Sequence, residues 1–315
     1  MEAVVRLAQH VRQEMRKVVV GQEELKTQCL IAYLCQGHAL LEGVPGVAKT
    51  LAIKVLSRIL GLDFHRVQCT SDLMPADIIG TKILNLSTSA FQLHRGPVFT
   101  NLLLVDEVNR MPPRTQAALL ECMQERQVTI DGERHPLSPN FTVFATQNPV
   151  DFEGTYPLPE AQLDRFLVKI RVPYPEANEE IQLLLNVQNG FDGDHLEQIG
   201  IVPVESGWLQ EGREAVRAVK VQEALFAYIV EIVRRTRDWP ALSLGSSPRA
   251  AVNLLAFSKA VAAIDGRDYV IPDDIKQAVL PVFRHRIVLK PEADLEGITP
   301  DQVIQDVVRA VELPK

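Results

Sequence analysis

The stretch Gly43-Val44-Pro45-Gly46-Val47-Ala48-Lys49-Thr50-Leu51 lies between an apolar run at 38–42 and a helical pattern at 51–60. Small residues at a strand-to-helix turn let backbone N–H groups converge on an anion at the N-terminus of the helix. In such a loop a lysine reaches the β- and γ-phosphates of a nucleotide and a hydroxyl coordinates Mg²⁺, so Lys49 and Thr50 take those parts. Ala48 stands where the phosphate-loop signature has its second glycine. Alanine is still small, but it tolerates fewer backbone angles. Taken alone, the segment also reads as a Gly/Pro turn with no ligand.

The run Leu102-Leu103-Leu104-Val105 ends in adjacent carboxylates, Asp106 and Glu107. Next to a phosphate loop, the first acid is suited to holding Mg²⁺ through its water shell and the second to orienting and polarising an attacking water. Without the loop the pair is a strand ending in a solvated acidic turn. A further apolar run, 141–146, delivers Gln147-Asn148-Pro149 to the same place. The amide of Asn148 there can position the lytic water or sense the γ-phosphate, although Asn-Pro is equally a turn starter. ATP with Mg²⁺ is the ligand this set of residues takes.

These side chains need a sheet whose strand ends converge. Short Val-, Leu- and Phe-rich runs at 38–42, 64–69, 101–105, 141–146 and 167–171 alternate with helical segments, which predicts a parallel sheet covered on both faces. Residues 1–35 read as two helices around Val18-Val19-Val20-Gly21-Gln22. Beyond Pro173-Tyr174-Pro175 the periodicity is helical, at 176–188, 221–237, 248–264, 272–279 and 300–311, with almost no strand. Three of these helices begin with a proline, and Thr299 with Gln302 forms a capping box. The expected fold class is α/β: a P-loop core of parallel sheet between helices over 1–190, then an all-α lid over 191–315.

With 315 residues, 46% apolar and 23% charged, the chain has the composition of an ordinary globular protein with room for a core and a smaller second unit. A net charge of −7 gives no global basic surface for nucleic acid. Cys29, Cys35, Cys69 and Cys122 show no metal-binding spacing and read as free, buried thiols of a reducing compartment. The N-terminal pattern is amphipathic, and no apolar run approaches a membrane span. A cytoplasmic protein is expected.

In order, these elements resemble the AAA+ superfamily and, more narrowly, the MoxR family. The resemblance rests on GVPGVAKT with its alanine, GPVFTNLLLVDEVNRMPP, ATQNPVDFEGTYPLPEAQLDRF and SSPRAAVNLL, and extends from Val20-Gly21-Gln22 to Arg284-His285-Arg286. It implies that Gln22 joins the nucleotide-binding residues. Arg165 is then an arginine finger reaching a neighbouring subunit's ATP, and Arg249 a sensor carried to the γ-phosphate when the lid closes. Read without the resemblance, either arginine is most often a solvated surface residue. The resemblance also implies inserts at 72–97 and 128–134. The first holds a possible hairpin of 82–84 with 91–93. The second turns at Asp131-Gly132, a favoured hairpin turn. Both stand as client-binding loops or as partnerless surface hairpins. A MoxR-type protein is expected to form a homo-oligomeric, hexameric ring ATPase that acts as a chaperone on a protein or metalloenzyme complex, with a von Willebrand factor A domain partner. A magnesium-chelatase-type motor subunit and a DNA translocase are the alternatives, with no nucleic acid expected on charge.

Overall fold

The computed structural model describes residues 1–87, 89–149, 154–193 and 195–313. Residues 150–153, part of the motif that precedes Arg165, lie outside the described residues. Through the first part of the chain run strands β1 (Ala39–Glu42), β2 (Phe64–Gln68), β3 (Gly80–Asn85), β4 (Ala90–Arg95), β5 (Leu102–Asp106), β6 (Gln127–Ile130), β7 (Glu133–Pro136), β8 (Thr142–Gln147) and β9 (Val168–Arg171). A five-stranded parallel sheet has the order β2-β5-β8-β1-β9. Its strands lie within one residue of the bounds expected from the apolar runs.

Alternate residues of each strand feed opposite faces, as the period of an extended chain requires. Leu40, Leu103, Val105, Val143 and Ala145 pack into one buried cluster with the helix Pro113–Glu125. Ala39, Leu41, Leu102, Leu104 and Phe144 enter the other, against the helices Glu2–Arg16, Glu23–Leu34 and Lys49–Ile59. That second cluster continues without a break into the C-terminal helices through Leu254, Phe257, Ile275 and Phe283. Buried His38 pins β1 beside β8. Its Nδ1 accepts from the Val143 amide at 2.9 Å, Nε2 lies 3.0 Å from the Met123 carbonyl, and burial pulls its pKa down to about 4.

The C-terminal helices include Ala177–Gln188, Glu223–Arg237, Pro248–Ile264, Pro272–Phe283 and Pro300–Arg309. The prolines at 248, 272 and 300 open their helices, and the Thr299–Gln302 box forms with reciprocal bonds of 3.3 and 2.8 Å. Two regions depart from expectation. A helix at Trp208–Ala218 lies between the helical runs expected at 176–188 and 221–237, where none was expected. A short antiparallel pair, β10 (Leu242–Leu244) and β11 (Val288–Leu289), also crosses a region expected to be all-helical. Both inserts form hairpins, β3 with β4 and β6 with β7, each longer than the sequence suggested. Asp131 and Gly132 at the second turn have φ of 49° and 82°, as a two-residue hairpin turn demands.

Candidate functional site

Parallel strands end together, so the loops after β1, β5 and β8 emerge at one edge of the sheet, and β8 lies between the other two. This is the carboxyl edge, where ligands of open α/β sheets bind. Gly43 is fixed by close approach: a Cβ there would meet the Val172 carbonyl at 2.6 Å. Gly46 adopts φ 85° and Ala48 φ 61°. The position expected to be glycine therefore does take the left-handed conformation, which costs an alanine roughly 1–2 kcal/mol. Ala48 is the N-cap of the helix Lys49–Ile59, so free backbone N–H groups of the first turn face the cleft. Lys49 Nζ donates to the Gly43 carbonyl and, at 3.0 Å, to that of Val44. Burial lowers its pKa, opposed by the charges of Asp106, Glu107 and Glu42.

Asp106 is 5% exposed and its carboxylate is fully engaged. Thr50 Oγ1 lies 3.1 Å from Oδ2, Thr146 Oγ1 2.9 Å from Oδ1, and Arg66 Nε donates to Oδ2 at 2.8 Å. The Thr146 hydroxyl also accepts from the Glu107 amide at 2.9 Å, so a single side chain aligns both acids. Glu107 has φ 60°, a strained angle for a residue with a side chain. Its carboxylate receives Gln68 Nε2 at 3.3 Å and lies 3.1 Å from Arg110 Nε. Behind the acids, burial and then the charges of Asp106 and Glu107 push the Cys69 thiol up to about 12, an inert thiol.

These groups surround a cleft of about 340 Å³. Of the expected residues, Pro45, Gly46, Ala48, Lys49, Thr50, Leu51, Asp106, Glu107 and Asn148 line it. Gly43, Val44 and Val47 shape the loop without lining the cleft. Gln22 does not line the cleft; its amide donates at 2.9 Å to the carbonyl of Pro173, next to the Val172 against which Gly43 packs. Three lining residues were not anticipated: Arg66, Gln68 and Thr146. Arg66 and Gln68 alternate on β2, with Gln68 in register with Asp106, so a period-2 reading of the edge strand is the signal that points to them. Among the described residues no cluster of three or more His, Cys, Asp or Glu is placed to hold a metal. The hydroxyl of Thr50 and carboxylate of Asp106 fit Mg²⁺, which binds through few protein oxygens and keeps waters and phosphates as its other ligands.

Arg165 and Arg249 do not line this cleft. Arg165 Nη1 donates to the Leu120 carbonyl at 3.1 Å and to the Gln124 amide oxygen, on the helix Pro113–Glu125. Arg249, in the first turn of Pro248–Ile264, has Nη1 3.9 Å from Asp164 Oδ2. Neither side chain lies at its own subunit's phosphate loop: Arg165 rests on the helix Pro113–Glu125, and Arg249 stands beside Asp164, the residue before Arg165 in the chain.

The chain matches the model of the ATPase family associated with various cellular activities (AAA) over residues 38–168 and the AAA lid domain over 234–307. It is 43% identical to Chaperone MoxR1 of Mycobacterium tuberculosis, over 96% of this chain and 81% of that protein. It is 44% identical to the uncharacterised YeaC of Bacillus subtilis, over 96% and 93%. With Protein MoxR of Methylorubrum extorquens the identity is 31%, again over 96% and 93%. A crystal structure from Cytophaga hutchinsonii superposes with a TM-score of 0.90 at 43% identity, covering 100% of this chain and 98% of that one. Phosphate loop, paired acids and lid, in this order and at this similarity, make the chain a member of the MoxR family of AAA+ ATPases.

Proposed function

We propose that the cleft binds ATP with Mg²⁺ and hydrolyses it to ADP and phosphate, in a ring where one subunit's Arg165 and Arg249 serve the cleft of the next. The carrying observation is the separation of charges. Lys49, Thr50, Asp106 and Glu107 converge on one cleft, while both arginines lie outside it, Arg165 on the helix Pro113–Glu125 and Arg249 beside Asp164. In this reading the loop amides and Lys49 hold the β- and γ-phosphates. Thr50 and Asp106 would hold Mg²⁺, which supplies charge neutralisation on the phosphates. Glu107, steadied by Gln68 and Arg110, draws on a proton of the attacking water, and Asn148 orients that water. As the new P–O bond forms, the bond between the γ-phosphorus and the bridging oxygen breaks and ADP leaves. A neighbour's arginines stabilise charge that develops only in the transition state, an effect of about 10³–10⁵ in rate for arginine fingers.

The placement of Arg249 supports reading this sensor in trans as well. A sensor carried by lid closure onto its own subunit's nucleotide would sit over the phosphate loop, whereas Arg249 stands beside the residue that precedes the finger. The reading that fits is delivery in trans of both cations.

A client-remodelling role, in a hexamer with a von Willebrand factor A domain partner, is proposed by family analogy, supported by the word chaperone in the name of the Mycobacterium tuberculosis relative. The net charge of −7 favours a protein client over nucleic acid. Four free thiols, Cys29, Cys69 and Cys122 buried and Cys35 half-buried, fit the cytoplasm. Replacing Lys49 and Glu107 separately tests the assignment. Lys49→Ala is expected to abolish ATP binding, and Glu107→Gln to keep it while turnover falls by about 10²-fold or more. Parental turnover in Glu107→Gln would remove the acid from its role.

A further inference from the structure

The residue before the finger arginine is bonded in a way that neither the nucleotide cleft nor the finger itself requires. Asp164 follows the short helix Glu160–Leu163, and its carboxylate gathers three groups from the C-terminal helices. Ser247 Oγ donates at 2.9–3.0 Å, Arg286 Nε donates to Oδ1 at 2.8 Å, and Arg249 Nη1 stands 3.9 Å from Oδ2. Arg286 then closes a strap around the finger segment. Its Nη2 donates to the carbonyls of Asp164, at 3.1 Å, and of Phe166, and its Nη1 to those of Leu167, at 3.1 Å, and of Val282. The side chain of Arg286 is 1% exposed. Burial draws its guanidinium down to about 10, opposed by the charge of Asp164, so at neutral pH it is a buried cation with a carboxylate counter-ion. The backbone on both sides of Arg165 is therefore pinned by one residue of the lid.

A strap that served stability alone needs Arg286 and its acceptors. It does not need Asp164 also to hold Ser247 and Arg249, the residues that open the helix Pro248–Ile264. Ser247 is the N-cap of that helix, yet its hydroxyl makes no capping bond and goes to Asp164 instead. The helix that carries Arg249 and the segment that carries Arg165 are thus tied at a single carboxylate.

We propose that Asp164 is a positioning residue that fixes Arg165 and Arg249 in one geometry, so that both cations reach a neighbouring subunit's phosphates as a unit. The inference rests on the trans reading above. It predicts that loosening Asp164 harms turnover in the neighbour's cleft and leaves the subunit's own cleft intact.

The test uses the full chain with Asp164→Asn and, separately, Ser247→Ala. Ser247→Ala keeps the Asp164–Arg286 pair and removes no helix cap, so it carries the test if Asp164→Asn does not fold. Binding of a fluorescent ATP analogue, turnover, assembly and thermal midpoint are measured for each. Misplacement of a catalytic group by about 1 Å costs on the order of 10²-fold. Asp164→Asn is expected to lose about that much turnover, and Ser247→Ala several-fold, roughly tenfold at most, both with analogue affinity unchanged within about twofold. Each variant is then mixed with Lys49→Ala, whose arginines are intact, and Arg165→Ala is mixed in the same way as a control. Rescue of Asp164→Asn or Ser247→Ala to the level reached by Arg165→Ala supports the proposal, because a merely weakened fold is not repaired by a neighbour's P-loop defect. Parental turnover in the folded variants overturns it. So does loss without rescue in mixtures where Arg165→Ala is rescued. If co-assembled Arg165→Ala is itself not rescued, the trans reading fails, and the inference built on it falls with it.

Discussion

Glu107 has a left-handed backbone, and the surrounding structure holds it there: Thr146 takes its amide, Gln68 and Arg110 its carboxylate. Strain of this kind, of order 1–3 kcal/mol, is kept where a side chain must point in one direction. Thr146 is the hinge of the arrangement, since the same hydroxyl also donates to Asp106. Thr146→Val keeps the shape and removes both bonds, leaving the Glu107 N–H without its acceptor. A loss of about 1–3 kcal/mol in stability is expected. Turnover should fall more steeply than nucleotide affinity, as chemical denaturation and a kcat-against-KM comparison would read. Unchanged stability and kcat would mean that water or rearrangement replaces the hydroxyl. Lys49, Thr50, Asp106 and Glu107 were legible in the sequence because phosphate chemistry demands those residue types beside a glycine loop and after an apolar strand. Thr146, Arg66 and Gln68 were not: alternation along β2 puts Arg66 and Gln68 on one face, but only the pairing of β2, β5 and β8 brings the three to the acids. The partner of Arg249 was hidden for the same reason: Asp164 is far from it in sequence.

Strands and hairpins follow their local signals closely, because sheet-centre strands are short apolar runs and Asp131-Gly132 supplies the positive φ of a tight turn. The helix Trp208–Ala218 was missed. Gly212 lies in its middle, and a glycine there costs about 1 kcal/mol against alanine, so the segment reads as broken. Tertiary packing decides otherwise: Gly212 sits closely against the first helix, where a Cβ would come within 2.9 Å of the end of the Leu7 side chain. The β3–β4 hairpin shows Leu86 at 84% and Phe91 at 71% exposure, with Ile83 and Leu84 also exposed, and Lys82 pairs with Glu133 of the second hairpin at 3.0 Å. Clustered exposed apolar side chains of this kind mark surfaces that meet a partner. Replacing the tip residues 83–92 with a short Gly-Ser turn is expected to leave basal ATPase and assembly intact. Stimulation by a von Willebrand factor A partner or a client should disappear. Steady-state rates with and without partner, alongside sedimentation, measure both. Loss of basal activity together with assembly would make the hairpin part of the ring interface, and retained stimulation would leave it a surface loop.

At the scale of the whole molecule, core and lid share one continuous buried cluster, and the Asp164 network joins them again beside Arg165. Arg165 and Arg249, the cations proposed to act in catalysis, lie outside the cleft of their own subunit. The α/β core followed by helices was legible from periodicity alone. The relative placement of Arg249 and the phosphate loop was not, because it depends on where the lid packs, and periodicity does not record that. With the arginines supplied in trans as proposed, a single subunit binds ATP but does not turn it over. The most direct measurement is the ATPase rate per subunit across protein concentrations spanning assembly, with the assembled fraction read by analytical ultracentrifugation in the same buffers. The rate per subunit should rise in step with the assembled fraction and then level off, and it should stay near zero at every concentration in Arg165→Ala, which still binds ATP. A constant rate per subunit in dilute monomer would contradict the account.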